Sequence, residues 1–211
     1  VEDELVLNAI VGRFQRPIWG AVRWSQGGPD VATEMRRPST SAEWICEWQR
    51  SVENWRSKSV QMARGRTRYV LLLDISAFYE NIDIAVLKSD LASLQPDAGS
   101  LNMLMECLYR WAQPRGRGIP QGFTACDLLA KVYMNEVDLA LTHAGLRFLR
   151  YNDDLRVFCR SMIDAKKALL AITELLRRRG LNLQSAKTDI KSAQEARVLF
   201  EGAEPVIPQI K

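Results

Sequence analysis

The chain has 211 residues, 47% hydrophobic and 26% charged, which is enough apolar material for one substantial core and excludes an intrinsically disordered segment. No stretch approaches the roughly 20 apolar residues that cross a bilayer, and Val1 to Val11 carries three acids where an export signal carries bases, so neither membrane insertion nor export is expected. The first residue is Val rather than Met, as expected of a processed chain or a piece of a longer one. Cys46, Cys107, Cys126 and Cys159 are scattered without zinc-site or disulfide spacing, so a reducing cytoplasm is expected. His143 is the single histidine, which removes most of the material for zinc sites and His-dependent nucleophiles. Any chemistry falls to carboxylates and lysines.

Net charge is +4, unevenly spread. Between Arg147 and Lys191 bases exceed acids by six, and Arg50, Arg56, Lys58, Arg64, Arg66 and Arg68 stand against Glu53 alone. Two basic stretches on a near-neutral body point to a polyanionic partner.

In chain order, residues 12 to 39 are rich in Gly, Pro, Arg and Trp without periodicity, which predicts loops and short strands. Thr40-Ser41-Ala42-Glu43 has capping-box spacing, and Trp44, Trp48, Val52 and Trp55 follow on one helical stripe suited to packing. Tyr69 to Asp74 is an apolar run ending in an acid, predicting a buried strand that delivers Asp74 at its end. Helices are predicted over 83–94 and 99–112, then a loop at Pro114-Arg-Gly-Arg-Gly118, then a long helix from Thr124 to His143 ended by Gly145. Leu146–Arg150 and Leu155–Cys159 flank Asn152-Asp153-Asp154 as a hairpin. A helix from Asp164 closes at Gly180, and Leu181 to Gln184 returns to a strand period. These elements describe an α+β fold, an antiparallel or mixed sheet backed by helices on one face.

Asp74 at a strand end and Asp153 and Asp154 at a hairpin tip can converge if the two strands share a sheet. Oxygen donors without nearby His or Cys favour a hard cation such as Mg2+. Two-metal phosphoryl transfer needs such a cluster.

Four motifs occur in order: Asp74-Ile-Ser-Ala-Phe-Tyr79, Gly118-Ile-Pro-Gln-Gly122, Tyr151-Asn-Asp-Asp154 and Gly180-Leu-Asn-Leu-Gln-Ser-Ala-Lys-Thr188. Together they resemble motifs A to D of the reverse transcriptase family over Arg68 to Ile190. The resemblance implies a right-hand polymerase palm with partial fingers and an absent or truncated thumb. It divides the chain into a fingers-like region 1–68, a palm 69–190 with finger elements between motifs A and B, and 191–211 as a degenerate motif E or start of a thumb, Val198 to Gly202 being a degenerate version of the hydrophobic motif E turn. It implies RNA-directed DNA polymerase activity, with an RNA template, a DNA or RNA primer and deoxynucleotides as partners, a partner domain or chain supplying the thumb, and two Mg2+ ions, for which Mn2+ can substitute.

The metal positions implied are Asp74, Ile75, Asp153 and Asp154. The catalytic set is Asp74, Asp153, Asp154 and Lys187, the lysine acting on the departing pyrophosphate. Phe78, Tyr79, Gln121 and Gly122 fall at nucleotide-contacting positions, with Tyr79 as the steric gate against a 2′-hydroxyl. On an extended chain the Phe78–Tyr79 pair would face opposite ways, so core packing would account for one of them. Arg36, Arg37, Arg64 and Arg66 are candidates for the triphosphate. Asn152 in motif C, and Cys126-Asp127 where Ser-Pro is commoner in motif B, depart from the family pattern. Arg150 before the Tyr-x-Asp-Asp and the run Phe78 to Asp83 resemble bacterial retron-like and phage-defence or abortive-infection groups. Two other functions fit the same motifs: template-independent, protein-primed DNA synthesis, and a non-catalytic RNA-binding or assembly module on a palm fold.

Overall fold

The structure is a computed structural model describing residues 2–22, 29, 31, 48–112 and 116–202. The capping-box segment Thr40 to Glu43, Trp44, Cys46, Arg36, Arg37, Pro114 and Arg115 lie outside the described residues. The N-terminal part contains α1 (Glu2–Gly12) and α2 (Gln15–Val22), followed by α3 (Trp48–Met62). The chain continues as β1 (Tyr69–Asp74), α4 (Phe78–Asn81), α5 (Ile84–Ser93), α6 (Ala98–Trp111), α7 (Thr124–His143), β2 (Phe148–Tyr151), β3 (Asp154–Cys159) and α8 (Met162–Arg178). A 3-10 turn at Ser185–Lys187, β4 (Asp189–Ser192) and α9 (Ala193–Gly202) complete it. Among the described residues no helix is long and apolar enough to cross a membrane.

All pairings in the four-stranded sheet, ordered β2-β3-β1-β4, are antiparallel. β1 runs from Tyr69 to Asp74 as its apolar run predicts, and the apolar character continues on alternate positions because both sheet faces are covered. Leu71, Leu73 and Ile75 enter the main core with Leu155, Val157 and the apolar faces of α5 to α8. Val70, Leu149 and Phe158 form a second core with Trp55, Ala63, Ala196 and Phe200. Helices therefore cover two faces rather than one, and Trp55 packs inside, 8% exposed.

Helix ends follow local chemistry. The side chain of Asp83 accepts from the amides of Ala85 and Val86 at the start of α5, and Asp97 accepts from Ser100 N at 2.8 Å at α6. At α9, Ser192 Oγ accepts from Glu195 N while Glu195 Oε2 accepts from Ser192 N, a reciprocal capping box. That box makes 193–202 helical, where the sequence pattern suggested a hydrophobic turn at Val198 to Gly202. Two further expectations change. Residues 15–22 are helix α2, whose Ile18 and Val22 are buried despite an irregular composition. Leu181 to Gln184 makes only a bridge, Ile75 opposite Leu183, and the edge strand is β4.

Arg179 follows Arg177 and Arg178, which are exposed, but is itself 7% exposed. Its guanidinium pairs with Asp90 of α5 and with Glu136 of α7, and stacks over the Tyr133 ring at 4.3 Å. The chain then turns at Gly180, φ +74°, where Leu181 N donates to Leu176 O and Gly180 N to Arg177 O. This is the paired closure of a left-handed C-terminal cap. A Cβ at this position would meet only the movable guanidinium of Arg117, at 3.4 Å, so backbone conformation is the cost. Gly180→Ala is expected to lower stability by about 1–2 kcal/mol, read as a shift of the urea midpoint at constant slope. An unshifted midpoint refutes the assignment.

Candidate active site

The site is assembled by strand register. β1 pairs with β3 so that Asp74, the last residue of β1, lies opposite Asp154, the first of β3. Ile75 N donates to Asp153 O at 3.0 Å, which draws the hairpin turn onto the end of β1. The turn passes through Asn152 at φ +51°, a left-handed conformation that Asn tolerates better than most side chains. The departure at position 152 therefore suits a two-residue turn between Tyr151 and Asp154, which pair across it.

Arg150 holds this turn from below. Its side chain is 2% exposed, its Nε donates to Asp138 Oδ1 at 2.9 Å, its Nη2 pairs with Asp138 Oδ2 at 2.6 Å, and its Nη1 donates to Asn152 O at 3.0 Å. In sequence Arg150 stands beside motif C, while Asp138 belongs to none of the four motifs. The signal was present: Asp138 sits beside Val137 and one turn before Leu141 on the apolar stripe of α7. On the other sheet face, the guanidinium of Arg156 lies 4.0 Å from the centre of the Trp55 ring and 3.9 Å from that of Phe200. Burial lowers its pKa to about 10.

The fourth motif arrives along the opposite edge of β1. Gln184 N donates to Asp74 O at 2.8 Å and Ser76 N to Asn182 O at 2.8 Å. The 3-10 turn then places Lys187 Nζ 2.9 Å from Asp74 Oδ2. Lys187 is 65% exposed at its side chain, while the Asp74 side chain is 12% exposed. Its ammonium pKa is raised, chiefly by that hydrogen bond, so it stays protonated at neutral pH.

Like charges crowd at the turn. The Asp153 carboxyl is pushed up, first by burial and then by the Asp74 charge. Asp154 is raised to about 6 by burial, Asp153 and Asp74. A divalent cation would relieve this crowding, and the oxygen-only donors match a hard ion. As placed, Asp74 is turned to Lys187, and no three His, Cys, Asp or Glu side chains among the described residues form a metal-holding group. Ile75 is 1% exposed with an apolar side chain in the core, leaving its main-chain carbonyl as the one atom it could offer.

The nucleotide-contacting candidates divide. Phe78 and Tyr79 lie on the short helix α4 rather than on a strand, so both are buried, 3% and 8% exposed, with their rings edge to face at 5.2 Å. Tyr79 Oη donates to Asp127 Oδ1 at 2.5 Å. The phenol is held far above its usual pKa by burial, then by the charges of Asp127 and Asp153. Motif B is stitched to α4 by Gly118 N to Ile82 O, 2.8 Å, and Ile119 N to Tyr79 O, 3.0 Å. Gln121 and Gly122 are exposed in the turn before α7. Arg64 and Arg66 are exposed beyond the end of α3.

Two measurements check this geometry. Asp138→Ala leaves Arg150 buried without its carboxylate and is expected to cost about 3–5 kcal/mol in urea unfolding; a loss under 1 kcal/mol contradicts the pairing. For Asp154, a folded-state pKa of about 6 against 3.8 means that the folded chain binds the proton more tightly than the unfolded one. Its effect is therefore most favourable below pH 3.8 and is lost as pH rises towards 6. Asp154→Asn is expected to raise the melting temperature at pH 7, by a stabilisation of about 1 kcal/mol because Asp154, though partly desolvated at its carboxyl, keeps access to water that screens the repulsion, with little change at pH 4. An unchanged or lowered melting temperature at pH 7 contradicts it.

A family profile for reverse transcriptase (RNA-dependent DNA polymerase) matches residues 32–200. A search of curated protein sequences returns no match. Among solved structures, apo telomerase from Candida tropicalis aligns with a TM-score of 0.63 at 11% identity, over 90% of this chain and 37% of that one. Telomerase from Candida albicans in complex with a fragment of telomeric RNA gives 0.55 at 12% identity, over 86% and 34%. C. tropicalis telomerase truncated from its C-terminal domain gives 0.53 at 12%, over 90% and 40%. These identities speak for the fold alone, and the chain spans two fifths or less of each telomerase chain. The profile covers most of the chain and all four motifs: the protein belongs to the reverse transcriptase family.

Proposed function

We propose that the chain is the palm of an RNA-directed DNA polymerase, joining deoxynucleotides to a primer 3′-hydroxyl on an RNA template. The observation that carries this reading is the gathering of Asp74, Asp153, Asp154 and Lys187 at one end of the β1–β3 pair. In the reaction the primer 3′-hydroxyl gives its proton to solvent, its oxygen bonds to the α-phosphorus, the bond from that phosphorus to the oxygen bridging to the β-phosphate breaks, and pyrophosphate leaves. Two Mg2+ ions held by Asp74 and Asp153, with Asp154 in support, would supply the Lewis acidity that activates the 3′-oxygen and neutralises the leaving charge.

The chain's own groups do the rest. Lys187, protonated and exposed, is free to leave Asp74 for the pyrophosphate, donating a proton or its charge from Nζ. Tyr79, buried between motif B and the carboxylates, forms the floor under the sugar, and Phe78 backs its ring. Gln121 and Gly122 meet the nucleotide from the turn before α7. The exposed Arg64 and Arg66 suit phosphates of the triphosphate or template. A bacterial retron-like or defence-type relationship is proposed from Arg150 and the run Phe78 to Asp83.

Primer extension on RNA and DNA templates, with both nucleotide types and with Mg2+ or Mn2+, tests the reading. RNA-templated deoxynucleotide incorporation is expected, and Asp153→Asn is expected to reduce it by roughly a thousandfold or more while the chain stays folded. Product covalently attached to protein and independent of template would instead support protein-primed synthesis. Incorporation undiminished in Asp153→Asn would remove the mechanism.

A further inference from the structure

We propose that Asp127 is a positioning residue for sugar selection, anchoring the far end of the Tyr79 ring and so setting the depth of the pocket beneath the nucleotide. This rests on the reading of Tyr79 as the sugar gate and goes beyond it by naming what holds the gate.

α4 has four residues, too short to be stable alone, and enters through Ala77 at φ +44° without a side-chain cap. Its backbone is held by Asn81 Nδ2, which donates to Ser76 O and Ala77 O at 3.1 and 3.0 Å, and by the bond from Ile119 N. Those contacts fix the near end of Tyr79. The near face of the ring is braced by Phe78. At the far end, the hydroxyl donates at 2.5 Å to a carboxylate 48 residues later, in the first turn of α7.

Asp127 is suited to that task. The backbone of α7 fixes its position, with Asp127 N donating to Phe123 O at 3.2 Å, and α7 is itself the central buried helix of the palm. Burial raises the carboxyl's pKa and the tyrosine bond lowers it, so the pair holds a charge that would otherwise be poorly satisfied. The Asp153 charge acts on the same hydroxyl. A ring held at both ends cannot recede from a 2′-hydroxyl, whereas a ring held only by α4 can tilt. Asp127 occupies the position where motif B departs from its commoner Pro, a residue that could not accept this bond.

The test is the ribo- to deoxynucleotide ratio of kcat/KM, with Tyr79→Val, Tyr79→Phe, Asp127→Ala, Asp127→Asn and the double variant Asp127→Ala/Tyr79→Phe. Asp127→Ala is expected to raise ribonucleotide use relative to deoxynucleotide about tenfold, mainly through a lower ribonucleotide KM. Tyr79→Phe should match it, and the double variant should go no further than either single change. Asp127→Asn keeps an acceptor oxygen and should restore most of the discrimination. Tyr79→Val should open the pocket further still. Equilibrium binding of dATP against ATP gives the same ratio if turnover is slow, and Tyr79→Phe and Asp127→Asn serve if the alanine variant does not fold. If Tyr79→Val shifts the ratio while Asp127→Ala and Tyr79→Phe do not, or if those two add, the anchor is overturned and the gate stands. If Tyr79→Val leaves the ratio unchanged, the gate reading falls and the anchor with it.

Discussion

Asp153 and Asp154 at a hairpin tip and Asp74 at the end of the neighbouring strand repel each other, and the chain must hold them there before any substrate arrives. The restraint is main-chain: β1 and β3 pair residue for residue up to Asp74 and Asp154, and Ile75 N ties down Asp153 O. Two cations act from different sides. Arg150, wholly buried, braces the turn through Asn152 O while its charge is balanced by Asp138. Lys187, exposed, meets Asp74 directly. One cation is fixed and structural; the other sits on a short 3-10 turn, where it can exchange partners.

What the sequence made legible is what short-range chemistry controls. β1 and α7 run between the predicted residues because an apolar run bounded by charge, and an apolar stripe between a Gly-rich loop and Gly145, have few alternative readings. The order of the four motifs carried the family, and strand pairing sets Asp74 opposite Asp154. The arginines were another matter. Nothing near Arg150, Arg156 or Arg179 in sequence names their partners, which lie 12 residues away for Asp138, 89 for Asp90, and on α3 and α9 for the Trp55 and Phe200 rings. Only the fold brings such groups together. The irregular composition of 12–22 hid α2 because packing on the core, not propensity, makes it helical.

The two faces of the sheet do different work. The main core under α5 to α8 positions the motifs. The second face is closed by α3 and α9, whose side chains meet around Arg156, with Tyr151 against Trp55 at 5.8 Å. Arg156 is two residues from Asp154 on the same strand face, so the packing of these helices and the environment of the third carboxylate share one guanidinium.

Burial of Arg150 and Arg179, with the half-buried Arg156 stacked on two rings, alters what the chain's basic character means for a polyanion. Guanidiniums already paired or stacked in the interior displace no condensed counterions when nucleic acid binds. The salt dependence of affinity will therefore track the exposed bases, among them Arg64, Arg66, Arg68 and Arg177. Its slope will be shallower than a tally of every Lys and Arg between Arg147 and Lys191 implies.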